Sequence, residues 1–95
     1  MDLTPLRAFV ARHDLHTAPE WSLLDVLAEL GELSRALLKE THFGRDAAPL
    51  PPAIAHEKIG DVMFALAYLS TLYDVDPEAA LWDSVRRFEE KLENK

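Results

Sequence analysis

The chain has no cysteine, which excludes both a disulfide and a thiolate zinc site. It has no long apolar run either: the longest, Val62 to Leu69, is far too short to span a bilayer. Internal repeats, low-complexity tracts and sustained strand-like alternation are also missing, so nothing calls for a sheet or a repeated unit. The stretch MDLTPLRAF carries an acid and a proline where a secretion signal needs a basic segment and an apolar core, so no signal peptide is expected. Basic charge is scarce: ten Lys and Arg stand against 17 Asp and Glu, a formal net charge of −7. A phosphate backbone would repel such a chain, which argues against a nucleic-acid polymer as partner. A nucleotide substrate stays open, because a triphosphate docks on acidic side chains when a divalent cation sits between them. The expectation is a cytoplasmic protein with no membrane partner.

What is present fits one small helical unit. The 95 residues leave room for a single domain, 1–95, and a domain this short is marginally stable as a monomer. Hydrophobic residues make up 48% of the chain, and two of the predicted helices are apolar around much of their circumference. Association into a homodimer or a higher homo-oligomer would bury that surplus. Thr4-Pro5 reads as a cap followed by a first-turn proline, opening a helix to about His13. Thr17-Ala18-Pro19-Glu20 fits a capping box for a second helix, which runs to about Thr41 with Gly44 near its end. Its period comes from Leu23, Val26, Leu27, Leu30, Leu33, Leu37 and Leu38. A loop over 42–52 leads to a third helix, about Ala53 to Tyr73. Asp76-Pro77 opens a fourth, with Leu81, Val85, Phe88 and Leu92 on one stripe. The fold class is all-α, a four-helix, bundle-like subunit completed by oligomerisation.

Four acidic residues stand out. Glu29 and Glu32 are three apart, and Glu57 and Asp61 four apart, so each pair leaves one helix face. Two such pairs on packed helices can converge on one hard divalent cation, which prefers carboxylate and water oxygens. Asp25, Glu29 and Glu32 lie opposite the centre of the leucine stripe, which is also where an ordinary solvated face would lie. Asp61 is different: in Ile59–Leu69 it is the only ionisable side chain apart from the Tyr68 phenol. By helical projection it shares a side with Ala65, Tyr68 and Leu72, with Phe64 beside them. A carboxylate in that setting needs a cation, hydrogen-bond donors or a salt bridge to Lys58.

These segments resemble the signature of the MazG-type all-α nucleotide pyrophosphohydrolases. That family carries Glu-x-x-Glu on one helix and Glu-x-x-Asp on the next. Here the first element is Leu27-Ala28-Glu29-Leu30-Gly31-Glu32-Leu33, and the second is Glu57-Lys58-Ile59-Gly60-Asp61-Val62-Met63-Phe64. The likeness runs on through Ala65-Leu66-Ala67-Tyr68-Leu69 and Val75-Asp76-Pro77-Glu78-Ala79-Ala80-Leu81, covering about Trp21 to Leu92. It implies a nucleoside triphosphate as substrate, cleavage at the α–β bond, and Mg²⁺, or Mn²⁺, as cofactor. It also implies Glu29, Glu32 and Asp61 as catalytic residues and metal ligands. The family's third carboxylate falls on Lys58, and Glu57 stands one residue earlier. Either Glu57 substitutes as a ligand, or the chain is a catalytically degenerate relative, a helical dimerisation or nucleotide-sensing module.

The remaining candidates are weaker. Lys58, Trp21 and Lys39 are expected to bind substrate. Trp21 and Trp82 could stack on a base or fill a core. Lys39 and Arg45 border the central loop, and Arg86, Arg87 and Lys91 lie on the last helix. All five could meet phosphates or pair with Asp83, Glu89, Glu90 and Glu93 on a solvated face. His13, His16, His42 and His56 show no metal-ligand spacing.

Overall fold

A proline opens every helix of the computed structural model, which describes residues 1–45 and 50–94. The four are α1 (Thr4–Arg12), α2 (Pro19–Glu40), α3 (Pro52–Leu72) and α4 (Pro77–Glu93), and no strand occurs among the described residues. Proline suits these positions because the first-turn N–H groups have no partner within the helix. The all-α fold and its four helices are as expected, with boundaries within a residue or two of those read from sequence.

The caps differ in instructive ways. Asp76 caps α4 as its sequence suggests, its carboxylate accepting from the Glu78 N–H at 3.0 Å. Thr4 does not cap α1. It sits inside the helix, and the Asp2 carboxylate accepts from its N–H at 2.9 Å. The Thr17–Glu20 capping box does not form either: Ala18 is the N-cap and makes no side-chain bond. Thr17 instead donates its N–H to the Tyr68 hydroxyl at 2.8 Å, and that hydroxyl donates to the Thr17 carbonyl at 3.4 Å. A tertiary partner has replaced a local one. At the other ends, α1, α2 and α3 close alike. The residue after each cap is left-handed, namely Asp14 (φ 52°), His42 (φ 50°) and Asp74 (φ 55°). The next N–H returns to a carbonyl five residues back: Leu15 to Val10, Phe43 to Leu38 and Val75 to Ser70. Gly44 is left-handed as expected (φ 84°), but the turn that closes α2 is made two residues earlier, by His42.

The Met1 ammonium holds the Asp76 carboxyl below its ordinary range, with the Glu78 N–H adding to the effect. A lowered carboxyl pKa means the cap's contribution is present above the ordinary Asp value and lost as pH falls through the lowered one. Asp76→Ala should therefore fray the first turn of α4, read as faster amide exchange in that turn at neutral pH and little difference from wild type in strong acid.

α2 and α3 form the main packed unit, α1 joins α3, and α4 shares at most a marginal contact with any other helix. The Thr17–Tyr68 bonds tie the start of α2 to the end of α3, so the two run antiparallel. The more buried positions of α2 are Ser22, Val26, Glu29, Leu33, Ala36 and Glu40, spaced alternately by four and three. On α3, Lys58, Val62, Ala65, Leu69 and Leu72 show the same spacing among its less exposed residues, which also include Ala67, Tyr68, Ser70 and Thr71. This seam lies roughly a quarter turn from the centre of the leucine stripe. Helix α3 therefore covers only the edge of the stripe at Val26 and Leu33. In antiparallel helices that rotation brings the α2 leucines and Ile59, Met63 and Leu66 of α3 to one side of the hairpin. It brings Asp25, Glu29 and Asp61 to the other.

Much apolar surface stays open. Val10, Val26 and Ala65 are the buried hydrophobic residues among those described, whereas Leu27, Ile59 and Met63 are 56%, 51% and 46% exposed. The accessible surface is 7435 Å², against about 5,500 Å² for a compact monomer of this mass. The radius of gyration is 16.4 Å, against about 12 Å for a compact domain of this length. No described helix is long and apolar enough to cross a membrane.

Candidate functional site

The side of the hairpin away from the leucines carries a groove of about 290 Å³. From α2 come Ser22, Asp25 and Glu29; from α3 come Asp61, Phe64, Ala65 and Tyr68. Helical spacing explains the set. Asp25 and Glu29 are one turn apart, as are Asp61 and Ala65, and the seam places the two rows side by side. Phe64 also packs edge-on against Phe9 of α1, with ring centroids 5.9 Å apart. Tyr68 is fixed by its bonds to Thr17. The groove therefore has one acidic wall-to-wall span and an aromatic end held in place by α1 and the connector.

Apart from Tyr68, its polar side chains lack protein partners among the described residues. Asp25, Glu29 and Asp61 form no ion pair among the described residues, and the alternative of a Lys58–Asp61 bridge is not realised. Ser22 is 1% exposed, and its hydroxyl has no hydrogen-bond partner among the described residues. Three like charges and a buried orphan hydroxyl in one groove favour a ligand that brings positive charge or hydrogen-bonding capacity.

The expected site residues divide. Glu29, half-buried, and Asp61 share the groove. Glu32 and Glu57 are exposed and do not line it. Lys58 is half-buried in the α2–α3 seam. Trp21 is 65% exposed beside the groove's Ser22 end and does not line it, and Lys39 lines a separate groove. Asp25 is the acid that sequence reasoning left on an ordinary solvated face. Its signal was the heptad Ser22–Val26–Glu29–Leu33–Ala36, whose edge it occupies one turn before Glu29. On α4 the self-contained reading holds in part: Arg86 pairs with Asp83, Arg87 donates to the Ser84 hydroxyl at 2.8 Å, and Lys91 lies 5.4 Å from the centre of the Phe88 ring.

The donor chemistry fits a hard cation. No group of three or more His, Cys, Asp or Glu among the described residues is close enough to hold a metal by itself. Magnesium does not require one, since it commonly takes one or two protein carboxylates and completes its shell with water and phosphate oxygens. Glu29 and Asp61, one from each helix lining the groove, are two such carboxylates. No family model, curated protein or solved structure matches the chain.

Proposed function

We propose that this chain is a Mg²⁺-dependent nucleoside triphosphate pyrophosphohydrolase of the MazG type, acting as a homodimer or higher homo-oligomer. It would split the α–β phosphate bond to give the nucleoside monophosphate and pyrophosphate. The observation that carries the reading is the groove itself. Glu29 and Asp61, which the family resemblance assigns independently on two helices, line one cavity with a third acid, Asp25.

In this reading the acids of both walls hold the cation and, through it, the triphosphate. The bound metal would neutralise phosphate charge and lower the pKa of a water molecule. Phe64 and Tyr68 keep one end of the groove apolar and exclude water there. Ser22 offers a buried hydroxyl to a polar atom of the bound species. The opposite, leucine-rich side of the hairpin suits a second copy: two such faces stacked together give a four-helix bundle with a carboxylate groove on each outer side.

Thermal melts with added metal test the site. Millimolar Mg²⁺ or Mn²⁺ should raise Tm, because a ligand of the native state stabilises it by mass action. At about 100 times the dissociation constant the gain is about 2.7 kcal/mol. Glu29→Ala should remove that rise; a full rise in the variant means the metal binds elsewhere.

A second reading has its own observation. Lys58 is half-buried in the seam beside the groove, while Glu32 and Glu57 point out of it. A lysine ammonium there would occupy the place of a cation, making the chain a nucleotide-sensing or dimerisation module without turnover. Lys58→Glu separates the two. In a degenerate module it should strengthen metal binding by roughly tenfold or more, whereas in an active enzyme it should change metal binding little.

A further inference from the structure

A second groove, of about 1220 Å³, lies on the outer side of α2 and carries cations instead of acids. Arg35 and Lys39 stand one turn apart on α2, and the left-handed run at 42–44 brings Arg45 to the same opening. No carboxylate lines it among the described residues, although the chain has 17 acids against ten bases. Arg35, Lys39 and Arg45 form no ion pair among the described residues. Three unpaired cations around one opening create a positive potential in an otherwise negative chain.

Two apolar features give the groove a second character. Phe43 lines it at 80% exposure, with its backbone left-handed at φ 60°, a conformation costly for a bulky residue. Gly31 forms part of the floor, and nothing lies within 4 Å of the position its Cβ would take. A missing side chain in mid-helix costs stability and here deepens the groove. The two grooves share no lining residue.

We infer that this groove is an anion site for a small phosphorylated ligand with a flat ring. Arg35, Lys39 and Arg45 receive the phosphate and Phe43 stacks on the ring. Guanidinium and ammonium groups make charge-assisted bonds to phosphate oxygens, and an exposed aromatic gives a ring a face to lie on. The inference does not depend on the proposed reaction, since no metal takes part.

The test is an amide-resolved NMR titration of the full chain in excess chelator, using adenosine monophosphate and, separately, inorganic phosphate. Both should give saturable shifts at Gly31, Lys39, Phe43 and Arg45, with the nucleotide binding at least about fivefold tighter through stacking. Arg35→Glu combined with Lys39→Glu should weaken nucleotide binding by about tenfold or more. Both positions are exposed, so the fold should survive, as circular dichroism would verify. Phe43→Ser should bring the nucleotide down to the affinity of phosphate, and Gly31→Leu should fill the floor and block both. Three results would overturn the inference: no saturable shift by about 10 mM, shifts confined to Asp25, Glu29 and Asp61, or unchanged affinity in the charge-reversed chain.

Discussion

Glutamate at both Leu27 and Met63 should convert an associated wild type into a monomer. The two positions sit on the open apolar side of the hairpin, one on each helix, at 56% and 46% exposure in a single chain. Neither touches the carboxylate groove, whose lining is on the other side. The single chain exposes roughly 1,900 Å² more surface than a compact monomer of its mass, enough for an interface of standard size or larger. Placing a carboxylate in such an interface without a partner costs at least about 2–3 kcal/mol, and two of them on each of two copies cost more. The dissociation constant should therefore rise at least about 100-fold. Light scattering of the wild type at micromolar concentration should give twice 10.7 kDa or a multiple of it. The double variant should give one chain mass, with lower helicity, because α2 and α3 bury few apolar side chains of their own. A monodisperse, well-folded wild-type monomer would end this picture.

Asp61→Asn should reduce turnover by on the order of 10²–10³-fold, a loss of about 3–4 kcal/mol of transition-state stabilisation. The amide keeps the shape of the side chain and removes its charge, so the α2–α3 seam is undisturbed. Asp61 is exposed in the single chain, and no ion pair depends on it. The folded state should thus be as stable as wild type without metal, or slightly more so once one of the three charges lining the groove is gone. Metal-free Tm and turnover would move independently. A parallel fall in both would mark Asp61 as a packing residue instead.

Local signals in the sequence translated well into structure. Pro5, Pro19 and Pro77 and the Asp76 cap act within a few residues of themselves, and each marks a helix start that the structure contains, while Pro52, read as the end of the loop, opens α3. The side of α3 carrying Asp61, Phe64, Ala65 and Tyr68 was also legible, since helical projection alone groups them. What was not legible is which face of α2 meets α3. A broad leucine stripe ordinarily marks the packed face, but here it is divided between the α3 seam and an uncovered side. The seam runs instead through Ser22, Val26, Glu29, Leu33 and Ala36. That rotation moves Asp25 into the groove, whereas Glu32, a heptad further along the same face, lies beyond its lining. The Thr17 capping box failed for a related reason, because Tyr68, 51 residues away, takes the Thr17 amide. Local rules cannot anticipate such a partner.

The most direct measurement is pyrophosphate release from a panel of canonical and modified nucleoside triphosphates, with Mg²⁺ and with chelator, using the full chain. The expected result is pyrophosphate and the nucleoside monophosphate in equal amounts from at least one substrate. That activity should vanish with chelator and fall steeply in Asp61→Asn. A wild type that folds, associates and binds Mg²⁺, yet stays inert across the whole panel, would contradict the proposed activity.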